Sequence, residues 1–138
     1  MEKCLFCDFQ KEKENVIVNN FFFTHWDENP ICKGHMLIIP KRHIASFFEL
    51  TQEELIDFYK TIKEAKNIIH DKYHPNAYNI GVNDGEAAGR TSHHLHIHLI
   101  PRYKGDCENP RGGVRKLFPE KADYTKEILP HRQHYFEN

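Results

Sequence analysis

His94-Leu95-His96-Ile97-His98-Leu99-Ile100-Pro101 alternates imidazole with aliphatic side chains and stops at a proline. Alternation with period two is the pattern of a half-buried strand. The three histidines share one face, and Leu95, Ile97 and Leu99 share the other. The apolar face has a partner upstream. Thr51-Gln52-Glu53-Glu54 has the form of a helix capping box, and behind it Leu55, Phe58, Tyr59, Ile62, Ala65 and Ile69 recur at three- and four-residue spacings. This predicts one apolar stripe on a helix of about five turns, closed by His74-Pro75-Asn76.

Further out, Val16-Ile17-Val18 and Phe21-Phe22-Phe23 read as strands joined at Asn19-Asn20. Met36-Leu37-Ile38-Ile39 is a third strand stopped by Pro40, and Tyr78 to Asn83 a fourth. Strands around one long helix, without alternating βαβ units, predict an α+β fold: an antiparallel sheet of about five strands with one long helix. The 138 residues contain no repeat or linker, so a single domain over 1–138 is expected, with a less regular tail from about residue 103.

Composition narrows the class of function. The 39% apolar and 28% charged content is that of an ordinary globular protein. A net charge of -1 supplies no global field toward nucleic acid or anionic membrane. Lys41-Arg42 and Arg111 to Lys116 lack interleaved aromatics and read as solvated faces. Neither a signal peptide at Met1–Asp8 nor a run of roughly 20 apolar residues is visible, so a cytoplasmic protein without a membrane partner is expected. Reduced thiols or metal ligands are then the reading for Cys4, Cys7, Cys32 and Cys107, the last two as small buried residues.

The histidine face admits three readings: a solvated polar face, a metal site, or a catalytic row, since imidazole is both the commonest metal ligand and a side chain that titrates near working pH. Cys4-x-x-Cys7 has the spacing of half a structural zinc site and needs two more ligands. A redox Cys-x-x-Cys normally opens a helix after a strand, and no strand is expected before Cys4.

Gly89-Arg90-Thr91-Ser92-His93-His94-Leu95-His96-Ile97-His98-Leu99-Ile100-Pro101-Arg102 resembles the signature of the histidine-triad superfamily of nucleotide hydrolases and transferases. Asp27 through Gly34-His35-Met36-Leu37-Ile38-Ile39-Pro40, and Gly81-Val82-Asn83-Asp84-Gly85, match two further blocks in the same order. The resemblance runs from Cys4 to about Pro119. It implies a dinucleoside polyphosphate hydrolase-like branch and a homodimer with sheets joined across a two-fold axis.

By that resemblance, His96 attacks the α-phosphorus of a nucleotide and becomes a nucleotidyl-histidine, His98 donates to the leaving group, and His35 braces the cluster. Asn83, Gly89, Thr91 and Ser92 donate to phosphate, and Asp27 holds the ribose. Arg90 stands where several members carry glutamine; it either clamps polyphosphate or points outward. His25 stands where an apolar base-pocket residue is expected. Three of these have a plainer reading: Asn83-Asp84-Gly85 and Asp27 as turn formers, and His35 as a buried, hydrogen-bonded histidine. The resemblance also implies one structural zinc per chain on Cys4, Cys7, His43 and His94. His70, His74, His93, His131 and His134 fit no site and are expected at the surface.

The expected activity is hydrolysis of a nucleoside phosphate anhydride or phosphoramidate, such as a dinucleoside polyphosphate or an adenylylated amine. The alternatives are a nucleotide-binding regulatory module with little turnover, a nucleotidyltransferase, and a metal-binding protein using all three triad histidines.

Overall fold

The computed structural model describes residues 3–137. The chain forms two compact units that divide after Tyr103. The first contains α1 (Leu5–Gln10), β1 (Ile17–Val18), β2 (Phe22–Trp26), β3 (Met36–Pro40), α2 (Gln52–Tyr73), β4 (Ala77–Gly81) and β5 (Ile97–Arg102). The strands form one sheet in the order β1-β2-β3-β5-β4, with every neighbouring pair antiparallel. The architecture is the α+β arrangement expected from the sequence.

Each face of the sheet has its own helix. On one side Phe22, Met36, Ile38, Ile97 and Leu99 pack with Ile62, Ala65 and Ile69 of α2. On the other, Phe23, Leu37 and Ile39 pack with Phe6 and Phe9 of α1. Alternate residues of β3 therefore enter opposite cores, which is why that strand is apolar at four successive positions.

The capping box of α2 is present in full. The Glu54 amide donates to Thr51 Oγ1 at 3.1 Å and the Thr51 amide to Glu54 Oε1 at 2.9 Å. The helix runs 22 residues, about a turn longer than expected, and ends at His74 with a left-handed φ of 53°. Its buried stripe differs from the expected one. Ile62, Ala65 and Ile69 are buried, but Leu55 and Tyr59 are 40% and 64% exposed, and Glu54, Asp57 and Thr61 are buried instead. The reason is local: Asp57 Oδ2 accepts from the amides of Phe21 and Phe22 at 2.8 and 3.1 Å, and Asn19 donates to Thr61 Oγ1 at 2.8 Å. Buried backbone donors at the β1–β2 turn need acceptors, and this face of α2 supplies them.

β5 begins at Ile97, not at His94 as expected. The ladder to β3 runs from Met36↔Leu99 to Ile38↔Ile97, and the Leu95 amide instead donates to the Ile44 carbonyl at 2.7 Å. His94 thus leaves the ladder and sits beneath the loop after β3. Cys32 and Cys107 are half-buried rather than buried, and Cys32 Sγ donates to the Pro101 carbonyl at 3.2 Å. The described residues of the second unit, 104–137, form short 3-10 turns. No helix among the described residues is long and apolar enough to cross a membrane.

Candidate active site and metal centre

Register places the triad. Leu37 pairs with His98, and Leu37 belongs to the core beneath α1, so His98 and the histidine two residues before it face the α1 side. His96 is half-buried there. Its Nδ1 lies 2.9 Å from the carbonyl oxygen of His94. A carbonyl only accepts, so Nδ1 carries the proton and Nε2 of the neutral ring is left with its lone pair. Phe6 stacks on the same ring at 4.5 Å between centroids and 26° between planes, and His98 meets it edge-on at 5.3 Å.

The proton on His98 is set by a chain of three groups. The amide of Ile31 donates to His35 Nδ1 at 3.3 Å, which leaves the His35 proton on Nε2. That nitrogen lies 2.9 Å from His98 Nδ1, so His35 donates, and neutral His98 keeps its own hydrogen on Nε2. Asp27 Oδ2 stands 3.3 Å from His35 Nε2 and 3.9 Å from His98 Nδ1. Burial, then the neighbouring His96 and His35, push the His98 imidazole down to about 4, with Asp27 opposing. Burial also lowers His35, again against Asp27. His35 follows Gly34, whose φ of +89° and neighbours Tyr73, Ile69 and Pro101 within 3.2 Å of any Cβ call for glycine. Asp27, His35 and His98 gather closely enough to hold a cation. The Ile31 amide argues otherwise, because a metal on His35 Nε2 requires a hydrogen on Nδ1, where that amide points.

The second cluster has the opposite character. His94 Nε2 donates to the Pro40 carbonyl at 2.7 Å, which turns the Nδ1 lone pair toward Cys4 Sγ at 3.4 Å and Cys7 Sγ at 3.5 Å. His43 Nδ1 lies 3.4 Å from Cys7 Sγ and 3.1 Å from His94 Nδ1. Tetrahedral zinc bonds imply S···N separations of about 3.6 Å and N···N of about 3.3 Å. The four donors therefore fit a zinc ion. Burial and the adjacent Cys4 push the Cys7 thiol up to about 11, so binding a cation there displaces a proton.

The loop before the triad carries the remaining candidates. Asn83, Gly89 and Thr91 are exposed. The Ser92 hydroxyl accepts from the His94 amide at 3.3 Å. The Arg90 guanidinium lies 3.4 Å from both the Ala45 carbonyl, in the segment after β3, and His93 Nδ1 of its own loop. Asp84 anchors the loop by accepting from Ser46 Oγ and the Phe47 amide at 3.0 and 2.8 Å. A cavity of about 400 Å³ opens beside the candidate metal group, with Phe6, His43, Thr91 and Ser92 in its wall; His96 is not among its lining residues. His25 is buried, with Nδ1 2.7 Å from the Trp26 carbonyl, Nε2 3.1 Å from Glu12, and its face on Phe9 at 4.0 Å. Of the five histidines left without a site, all are exposed.

Residues 8–105 match the family model described as the HIT domain. The chain belongs to the HIT family. An uncharacterized HIT-like protein of Methanocaldococcus jannaschii is 36% identical over 116 residues, 82% of this chain and 89% of that one. The bis(5'-adenosyl)-triphosphatase of Dictyostelium discoideum is 30% identical over 99 residues, 72% of this chain and 66% of that protein. The crystal structure of a HIT family member from Bacillus subtilis superposes with a TM-score of 0.69 at 27% identity, covering 93% of this chain and 99% of that one. Membership places the chain in a family that includes nucleotide hydrolases.

Three participants in this HIT site have little or no signal in the sequence. Phe6 and Phe9 are apolar at three-residue spacing around the Cys-x-x-Cys pair, a signal hidden by the attention the cysteines draw. The Ile31 amide has no side-chain signature at all.

Proposed function

We propose that this protein hydrolyses a nucleoside phosphate anhydride or phosphoramidate through a covalent nucleotidyl-histidine on His96. The observation that carries the reading is the hydrogen bond from His96 Nδ1 to the His94 carbonyl, which puts the hydrogen of a neutral ring on Nδ1 and gives Nε2 the in-plane lone pair. In the first step Nε2 bonds to the α-phosphorus, the bond to the leaving oxygen or nitrogen breaks, and His98 Nε2–H supplies the proton. Attack leaves the His96 ring cationic, and the Nδ1–H bond to the carbonyl strengthens accordingly. In the second step water attacks phosphorus, the P–N bond breaks, and the water proton returns to His98. The products are a nucleoside monophosphate and the protonated leaving group.

His35 and Asp27 hold His98 in the donating tautomer, and Asp27 also receives ribose hydroxyls. Asn83, Gly89, Thr91 and Ser92 donate to phosphate oxygens, and Arg90 swings from its loop to the polyphosphate. A retained His98 favours hydrolysis over transfer. Zinc on Cys4, Cys7, His43 and His94 would supply a structural cross-link between the N-terminus and the catalytic strand. β4 is an edge strand with Ile80 55% exposed, which suits a homodimer formed across that edge. The cytoplasm is the compartment that suits free thiol ligands.

The test is a His96→Ala variant. It should keep nucleotide affinity and zinc while losing cleavage of adenosine phosphoramidate, dinucleoside polyphosphates and adenylylated lysine, compared by kcat/KM. Unchanged turnover would remove the enzyme reading.

A further inference from the structure

The Cys4-to-Cys7 span carries one side chain that a metal site does not use. Phe6 lies between the two sulfur donors, is 6% exposed, and stacks on His96. α1 has only six residues. A helix that short has little stability of its own. Its place is set by Cys4 and Cys7 against His43 and His94, and by Phe6 and Phe9 in the core of Phe23, Leu37 and Ile39.

Stacking restrains an imidazole without obstructing it. The Nε2 lone pair lies in the ring plane, whereas Phe6 covers a π face. The Nδ1–H bond fixes the ring at one corner, and rocking about that corner would sweep Nε2 sideways. Phe6 on one face and the His98 edge at 5.3 Å close that motion. We propose that Phe6 is a positioning residue for His96, held in register by the Cys4 and Cys7 ligands, so that metal binding sets the aim of the nucleophile. This rests on the reading of His96 as the attacking group.

The experiment compares wild type, Phe6→Leu and Phe6→Tyr in the zinc-loaded full chain. Phe6→Tyr keeps an aromatic face for His96, and Phe6 is among the residues that border the cavity. The first readout is the His96 ring-proton shifts in a histidine-selective NMR correlation; the second is steady-state cleavage of diadenosine triphosphate. Wild type and Phe6→Tyr should show His96 signals moved upfield by the stacked ring. Phe6→Leu should lose that displacement and lower kcat by about 10- to 100-fold with KM unchanged, the scale of an ångström-level misplacement. Chelation of wild type should move the same signals in the same direction.

His96 signals unmoved by Phe6→Leu or by chelation would overturn the proposal. So would a raised KM at constant kcat, which would make Phe6 a binding surface, or a zinc-retaining Phe6→Tyr that fails to restore both readouts. The NMR shift reports the stack whether or not the protein turns over, whereas failure of the nucleophile reading appears separately as activity in His96→Ala.

Discussion

The His94 carbonyl accepts from Nδ1 of His96 at 2.9 Å while the His94 ring faces Cys4 and Cys7. One residue thereby sets the tautomer of its neighbour through its backbone and joins the candidate metal group through its side chain. The candidate metal group and the proposed nucleophile are thus joined through the backbone of His94, without direct contact between them.

Removing the metal should therefore cost stability first. The purified protein is expected to hold one zinc per chain, and stripping it, or making Cys4→Ser or Cys7→Ser, should lower Tm and reduce hydrogen-exchange protection of α1. Because the Cys7 thiol must release a proton to bind, apparent zinc affinity should fall as pH falls. Full stability without metal would show that the four side chains serve only packing.

His98 makes a pH-dependent contribution. Its imidazole stays neutral in the folded chain down to about 4, against the usual 6.5 when unfolded. Between those values the unfolded chain binds the proton and the folded chain does not. Stability from this group is thus intact above about pH 6.5 and is lost as pH falls toward 4, by roughly 3 kcal/mol in all. His35, also lowered, acts in the same direction. Urea unfolding at pH 7 and pH 5 should show a smaller drop for His98→Gln than for wild type; equal drops would exclude His98 as a source.

The proton assigned to His98 Nε2 matters most when the leaving group is a poor one. His98→Ala should lower kcat by about 10²- to 10⁴-fold with a phosphate or amine leaving group. With a p-nitrophenyl ester of the same nucleotide, whose leaving group needs no proton, the loss should shrink to a few-fold. Equal losses for both substrates would mean His98 does not donate.

Asp57 carries a stability role separate from the chemistry. Asp57→Ala leaves the Phe21 and Phe22 amides without their acceptor and should cost about 1–3 kcal/mol in urea unfolding. A neutral result would show that water replaces the carboxylate.

The fold was legible where a pattern is local. The alternation at His94 to Ile100, the apolar run at Met36 and the Thr51 box each have a short-range cause, and each element appears in the structure. Errors fell where a tertiary need outranked the pattern. Asp57 and Thr61 displaced Leu55 and Tyr59 from the buried stripe because a turn in another element needed acceptors. β5 lost its first three residues to the Ile44 carbonyl. The Cys-x-x-Cys spacing and the triad were visible as residue types, but the distances joining Cys4 and Cys7 to His43 and His94 span up to 90 residues of chain and no local signal encodes them. The tautomers were invisible for a related reason: the Ile31 amide and the His94 and Pro40 carbonyls are backbone groups that every sequence possesses.

Rapid-quench mass spectrometry of the enzyme mixed with diadenosine triphosphate tests the central claim most directly. The expected result is a transient adenylyl adduct on the peptide containing His96, formed and consumed at rates that account for kcat and absent from His96→Ala. Steady turnover with no adduct, or with the adduct on another residue, would contradict it.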